Sequence, residues 1–262
     1  MKHLGILRIG RFSAKVLYNL IVFGLTLSVA TNSSAQEKKK IKHQQQLWYG
    51  YHLNWRLNNE WFAIAEIQER HFISPLAQSQ LLGRVHLHKN IGSNYDAGVG
   101  MSLFFSSPNN PKATERLVVP ELRPHIEFNT TKDVGFGTFH QRYKAEARYF
   151  HNTEDGALTS GYYFGNFRLR MQLGFRIPIV KKSSDNATKI TVKVQDEILL
   201  NAGSRIVKNV FDQNRIYVAF DYNFSKTVSV EMGYLNWFQQ QSSGTDFYNR
   251  DILRFTIHQK IH

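Results

Sequence analysis

Residues Leu47 to Leu57 read LWYGYHLNWRL, and this stretch decides the fold. Every second residue from Leu47 onward is apolar or aromatic. Apart from Trp48, which breaks the pattern, the residues between them are small, polar or charged: Gly50, His52, Asn54 and Arg56. Because successive side chains of a strand point to opposite faces, the stretch predicts a strand with one apolar, aromatic-rich face and one polar face.

The same alternation recurs along most of the chain and indicates about eleven strands. Their clearest parts are residues 47–57, 61–70, 80–88, 96–103, 121–128, 140–149, 167–177, 190–201, 215–224, 228–234 and 253–258. Pro120 and Pro124 weaken the fifth strand, since each proline removes a ladder donor. Most strands approach or exceed the roughly 9 to 11 residues that cross a bilayer, and short turns alternate with longer polar loops between them.

These strands predict an all-β fold, a single antiparallel up-and-down transmembrane β-barrel that follows a cleaved signal peptide. An odd number of strands would place the chain ends on opposite sides, whereas single-chain bacterial barrels have even numbers, so we expect about ten to twelve strands. The alternative is a soluble ligand-carrying barrel with a dry interior. Large aromatic residues on the apolar faces, and dense Arg, Lys and Glu on the polar faces, favour lipid outside and water inside.

The N-terminal segment has the features of a secretory leader. Four basic residues precede and adjoin an apolar run, Val16 to Ala30, and three small residues follow it, Ser33, Ser34 and Ala35. We therefore predict a signal peptide over residues 1–35, cleavage after Ala35, and export to the bacterial outer membrane. An uncleaved membrane anchor is the alternative, but the run is short for a spanning helix.

The predicted mature chain is basic. Removing the leader subtracts four positive and no negative charges, which lowers the formal net charge from +13 to +9. Because part of this charge lies in Lys38, Lys39, Lys40 and Lys42, residues 36–46 are predicted to be a basic polar tail and residues 47–262 the barrel domain. The predicted partners are outer-membrane lipid and small anionic solutes, not nucleic acid. The absence of cysteine excludes disulfides and thiolate metal sites, and the sequence does not indicate an oligomeric state.

Five short motifs together resemble one known family. They are FHQRYKAEAR from Phe139 to Arg148, FRLR from Phe167 to Arg170, DEILLN from Asp196 to Asn201, FDQNRIY from Phe211 to Tyr217, and MGYLN from Met232 to Asn236. The chain is similar through these motifs to the domain-of-unknown-function 2490 family, from about Leu47 to its end. The resemblance implies an outer-membrane-type barrel. It implies no activity, and therefore no catalytic residues.

A set of acidic and basic residues shares the polar faces of neighbouring predicted strands. The set comprises Glu121, Arg123, Glu127, Arg142, Glu146, Arg148, Arg168, Arg170, Arg176 and Glu197, which we predict to line the lumen. Neighbouring strands lie about 5 Å apart, so Arg and Glu can form bidentate pairs between them. Such residues can form an ion-pair network that fills the lumen, or a lining in which excess arginine attracts anions.

Few residues suggest further chemistry. His86, His88 and His125 could face one another across the lumen, but their sequence spacing indicates neither a metal site nor a cofactor. Ser102, Ser160 and His140 are candidates for a nucleophile and its base, but none lies in a recognisable motif. We therefore predict a non-enzymatic barrel, either a narrow channel or a structural or binding protein. Two alternatives to this prediction are an outer-membrane lipid-modifying enzyme and the soluble ligand-carrying barrel described above.

Overall fold

A computed structural model describes residues 39–181 and 188–261, and eleven strands in these residues form one closed barrel. The strands are β1 (Lys40–Arg56), β2 (Trp61–Phe72), β3 (Ala77–Gly92), β4 (Tyr95–Ser106), β5 (Val119–Asp133), β6 (Thr138–Glu154), β7 (Ala157–Lys181), β8 (Thr188–Ala202), β9 (Phe211–Asn223), β10 (Val228–Gln240) and β11 (Asp246–Ile261). The predicted all-β barrel is confirmed. The predicted signal peptide over residues 1–35 lies outside the described residues. Within those residues, no helix is long and apolar enough to cross a membrane.

The barrel closes through one parallel pair of strands. Consecutive strands pair antiparallel, whereas β1 and β11 run parallel, with partners from Lys40 and Asp246 to Trp55 and Ile261. This pair departs from the wholly antiparallel pairing that the sequence predicts. It also shows how an odd number of strands can close the barrel, because the first and last strands of an up-and-down sheet with an odd count point the same way.

The first strand begins earlier than the sequence pattern indicates. Residues 40–46 belong to β1, whereas we predicted a polar tail over residues 36–46. This segment pairs with β11 from Lys40 and Asp246 onward, and the Arg250 guanidinium of β11 donates to Gln44 Oε1 over 2.7 Å. Within β1, Trp48 Nε1 donates to Gln46 Oε1 over 2.8 Å. Three consecutive glutamines, residues 44–46, show no alternation of apolar and polar side chains, so the sequence pattern did not reveal the strand there.

Local chemistry explains the ends and the irregular points of the strands. Asn58 Oδ1 accepts backbone N–H groups of Glu60 and Trp61 in the turn after β1. The β6–β7 connection is the pair Asp155 and Gly156, both with positive φ, which suits a tight hairpin. Pairing of β5 with β6 is interrupted between Leu122 and His125, around Pro124, because proline has no N–H to donate.

The two ends of the barrel differ. At one end, here called the turn end, lie the connections after the odd-numbered strands, and the described ones are residues 57–60, 93–94, 134–137 and 224–227. At the other, the loop end, lie residues 73–76, 107–118, 155–156, 203–210 and 241–245. The longest described connection, residues 107–118, folds against the opposite wall, where Gln44 Nε2 donates to the backbone carbonyl of Asn109 over 2.7 Å.

Burial follows the alternation closely. On β5, Glu121, Arg123 and Glu127 are buried, whereas Ile126 and Phe128 on the other face are 62% and 37% exposed. The barrel therefore has an apolar outer surface and a polar, charged interior. A few apolar side chains also point inward, and Trp48, Tyr217, Ala219, Leu235 and Ile252 form a buried cluster among them.

Candidate functional site

Two cavities occupy the barrel interior, one toward each end. The turn-end cavity has a volume of about 440 Å³ and is lined by residues from all eleven strands. Eight Arg or Lys residues and five Asp or Glu residues contribute to its lining, so its formal charge is positive. The loop-end cavity is smaller, about 240 Å³, and is lined mainly by amides and by Arg148, Arg168 and Asp212.

A packed layer of charges separates the cavities. Its centre is Glu121, which accepts two hydrogen bonds from the Arg123 guanidinium, at 2.6 and 2.7 Å, and a third from Arg148 Nε. The Arg123 guanidinium stacks on the Phe104 ring, 3.7 Å from its centroid. Glu121, Arg123 and the buried side chains of Leu82 and Leu199 line neither cavity, among the residues that the structure describes. They lie between the two linings, since Glu121 accepts from Arg148 of the loop-end cavity and Arg123 lies 3.9 Å from Glu146, the partner of Arg170 of the turn-end cavity.

Arg170 connects this layer to the turn-end cavity. Its Nη1 donates to Glu146 Oε1 over 2.8 Å, and its Nε and Nη2 donate to Glu197 at 2.8 to 3.0 Å. Glu197 also accepts from Arg142 Nη2 over 2.8 Å. Three neighbouring strands, β6, β7 and β8, are thus joined inside the barrel by charge-assisted hydrogen bonds, which are the stronger kind.

The structure places the ten predicted lumen residues as follows. Seven are buried, namely Glu121, Arg123, Glu127, Glu146, Arg168, Arg170 and Glu197. Arg142 and Arg148 are half-buried and paired with carboxylates, whereas Arg176 is exposed at the rim of the turn-end cavity. Their geometry shows an ion-pair network, and a role in selecting solutes remains a prediction.

Several interior residues were not among the predicted lumen residues. Trp48, the residue that breaks the alternation of β1, is buried inside the barrel, where the Arg70 guanidinium lies 3.7 Å from its ring centroid. Lys193 pairs with Glu231 at 2.6 Å, and Tyr217 donates to the same carboxylate over 2.7 Å. Lys193 and Tyr217 alternate in sequence with the apolar residues of their strands, and this alternation was the signal that could have placed them inside the barrel.

Some interior arginines have no carboxylate partner. Arg70 donates to the amide oxygens of Gln68 and Gln80, at 2.8 and 2.6 Å. Among the described residues, neither Arg70 nor Arg254 has a carboxylate oxygen within 4.0 Å, and Arg215 reaches Glu197 only at 3.8 Å. All three line the turn-end cavity, within electrostatic reach of one another. Glu66 also lies within electrostatic reach of Arg70 and Arg254, so their positive charge is offset in part, although neither arginine pairs with it directly.

The candidate nucleophiles, Ser102 and Ser160, and the candidate base, His140, each contact other residues. His140 Nε2 is 3.1 Å from Gln195 Nε2, and no described contact joins His140 to either serine. Ser102 is buried in the wall of β4, and the Ser160 backbone carbonyl accepts from Asn152. His140 therefore does not contact Ser102 or Ser160 in the way that a base must contact its nucleophile.

The structure brings together histidines that the sequence separates. His86 Nδ1 lies 3.2 Å from His125 Nε2 and 3.5 Å from Glu127 Oε2, and all three residues are buried. Spacing along the chain indicated no such group, because His86 lies on β3 and the other two residues on β5. Only the strand register makes them neighbours.

Comparison with known proteins gives a family and a fold. The family described as "Protein of unknown function (DUF2490)" matches residues 45–249. No curated protein matches the chain. A solved structure titled "NanC porin structure in rhombohedral crystal form" is similar, with a TM-score of 0.50 and 10% sequence identity over 82% of this chain and 99% of that one. At this identity the similarity shows the fold alone, that of a porin-like barrel.

Proposed function

The chain belongs to the DUF2490 family, whose description assigns no activity, and we propose a function from the barrel itself. It is an integral outer-membrane β-barrel whose arginine-rich lumen binds small anions and passes them as a narrow channel. The observation that carries the proposal is the turn-end cavity, where basic side chains outnumber acidic ones and where, among the described residues, Arg70 and Arg254 have no carboxylate oxygen within 4.0 Å.

The outer surface supports the membrane setting. Apolar residues in the middle of the strands are exposed, among them Val99, Ile126, Leu169, Ile216 and Phe255. Exposed aromatic residues lie nearer both ends, Trp55, Tyr95, Phe136 and Phe224 at the turn end and Tyr149, Tyr162, Tyr163 and Phe167 toward the loop end. An apolar band between two aromatic girdles is the pattern of barrels in outer membranes. The same surface, with a polar interior, disfavours a soluble carrier with a dry cavity.

The interior supports a preference for anions. A buried guanidinium is costly without a counter-charge, and an anion entering the turn-end cavity would supply one to Arg70 and Arg254. Rings of positive side chains favour anions in pores for the same reason. The packed layer around Glu121 and Arg123 limits passage, so permeation requires the ion pairs of this layer to rearrange.

Ion selectivity in a planar bilayer tests this proposal. Purified, detergent-refolded protein is expected to give small discrete conductance steps whose reversal potential in a salt gradient shows anion preference. The double variant Arg70→Gln, Arg254→Gln should lose most of that preference. Arg56→Gln is the control for a loss of positive charge elsewhere, because it removes one arginine at an exposed position outside the turn-end cavity. Steps with equal selectivity in the wild type and the double variant would refute the role of these arginines.

The packed layer also favours a second function, a closed barrel that binds anions without passing them. In that case the folded protein gives no conductance steps, but anions such as sulfate raise its unfolding temperature in a saturable way, and the double variant loses this response. If neither conductance nor saturable stabilisation is found in a folded barrel, both functions are excluded.

A further inference from the structure

The histidine cluster rests on two rows of paired residues that cross three strands. In one row, Gly100 of β4 lies between His86 of β3 and His125 of β5, and in the other, Gly98 lies between His88 and Glu127. The glycines leave room for the rings. A Cβ atom at Gly100 would lie 2.5 Å from His125 Nε2, and one at Gly98 would lie 2.7 Å from the His88 ring.

The ligand atoms have the spacing of a metal site. His86 Nδ1, His125 Nε2 and a Glu127 carboxylate oxygen all lie within 4.8 Å of one another. Zinc binds histidine nitrogen and carboxylate oxygen at about 2.0 to 2.2 Å in a tetrahedron, which places neighbouring ligand atoms about 3.3 to 3.5 Å apart. The distances from His86 Nδ1 to His125 Nε2 and to Glu127 Oε2, 3.2 and 3.5 Å, match two edges of this tetrahedron.

The groups behind the ligands fit a metal as well. His125 Nδ1 lies 3.1 Å from the backbone carbonyl of Arg123, to which it can donate its proton, leaving the Nε2 lone pair for a metal. Histidine ligands in metal sites commonly donate their other ring N–H in this way. His88 contacts Glu127 Oε1 at 3.2 Å through Nε2, and Asp96 at 2.8 Å through Nδ1. Asp96 and His88 thus fix the orientation of the Glu127 carboxylate.

We propose that His86, His125 and Glu127 form a binding site for a divalent transition metal of the zinc class in the barrel wall. Nitrogen and carboxylate ligands suit such a metal, and the fourth position is left to water or to a solute. When the metal is absent, the Lys144 ammonium forms an ion pair with the Glu127 carboxylate, 2.7 Å from Oε2. Metal binding therefore competes with this ion pair, and Lys144 limits the affinity.

Zinc binding to the refolded barrel, measured by isothermal titration after chelator treatment, tests the proposal. We expect one zinc ion per chain in the wild type, and loss of affinity by at least about 100-fold in His125→Gln, since even outer-shell changes cost 10- to 100-fold. His140→Gln is the matched control, because it alters another partly buried interior histidine that the cluster does not include. Cobalt in place of zinc should give the absorption bands of a tetrahedral site in the wild type and not in His125→Gln.

Lys144→Met separates the metal site from a purely structural cluster. In the metal site this variant binds zinc more tightly than the wild type, and zinc raises its unfolding temperature more than that of the wild type. Circular dichroism confirms that each variant is folded before titration. The proposal is overturned if folded wild type and folded Lys144→Met bind no zinc. It is also overturned if His125→Gln binds zinc as tightly as the wild type and the control His140→Gln do.

Discussion

Arg170→Met removes the cation that joins β6, β7 and β8 inside the barrel. The guanidinium makes hydrogen bonds of 2.8 to 3.0 Å to the buried carboxylates of Glu146 and Glu197, and methionine keeps most of the aliphatic volume. Removing one partner of a buried ion pair costs about 3 to 5 kcal/mol, because it leaves the other charge unpaired. We expect the lower end, about 3 kcal/mol, since Arg142 still pairs with Glu197 at 2.8 Å.

Equilibrium unfolding in urea, with the barrel in detergent, measures this loss. With a denaturant dependence of about 3 kcal/mol per molar, the midpoint should fall by about 1 M. Arg176→Met, an exposed position on the same strand, should stay within about 0.5 kcal/mol of the wild type. Adding Glu146→Gln to Arg170→Met should recover part of the loss, because the Glu146 carboxylate is then no longer left without Arg170, while Arg123 keeps its pair with Glu121. An unchanged midpoint in Arg170→Met would show that the network contributes nothing to stability.

Two further changes test the packing of the wall and of the loop end. Gly100→Ala should destabilise the barrel by about 1 to 3 kcal/mol in urea unfolding, because the new Cβ atom would collide with the Val85 backbone oxygen. Gly83→Ala is the control and should have little effect, because the space around Gly83 is open. Arg250→Met removes a hydrogen bond of 3.1 Å to Asn109 Oδ1, so limited proteolysis should cut residues 107–118 faster than in the wild type; equal cleavage rates would show that this contact does not hold the loop.

The alternation of side chains was enough to predict the barrel, because it depends only on the two-residue period of a strand. It located the central part of each of the eleven strands in the described residues, although it missed residues 157–166 of β7. It could not show that β1 and β11 pair in parallel, because that pairing joins residues about two hundred positions apart through backbone groups that any sequence carries. It also missed the start of β1 at Lys40, where a run of polar residues has no apolar partner to mark the period.

The charged residues of the interior were predictable as a set, but their partners were not. Arg170 and Glu197 lie on adjacent strands, and their contact depends on the register that pairs Arg170 with Leu199, a register that the sequence does not state. Trp48 illustrates the same limit for an apolar residue. Its side chain points inward although its chemistry suits lipid, because the guanidinium of Arg70, the amide of Gln46 and the buried apolar cluster surround it there.

The interior of this barrel has a geometric reason to use long charged side chains. Eight strands already enclose as much space as apolar side chains readily fill, so eleven strands leave a wider lumen that must hold water or be spanned by longer groups. Arginine spans such a gap and offers several donors at its end, which lets Arg148 and Arg170 bridge neighbouring strands through Glu121, Glu146 and Glu197. At Arg70 and Arg254, where no carboxylate oxygen lies within 4.0 Å among the described residues, the same side chains leave positive charge facing a cavity. The packed layer and the proposed anion site therefore both result from arginine side chains in the interior. They differ in whether a carboxylate lies within ion-pair distance of the guanidinium.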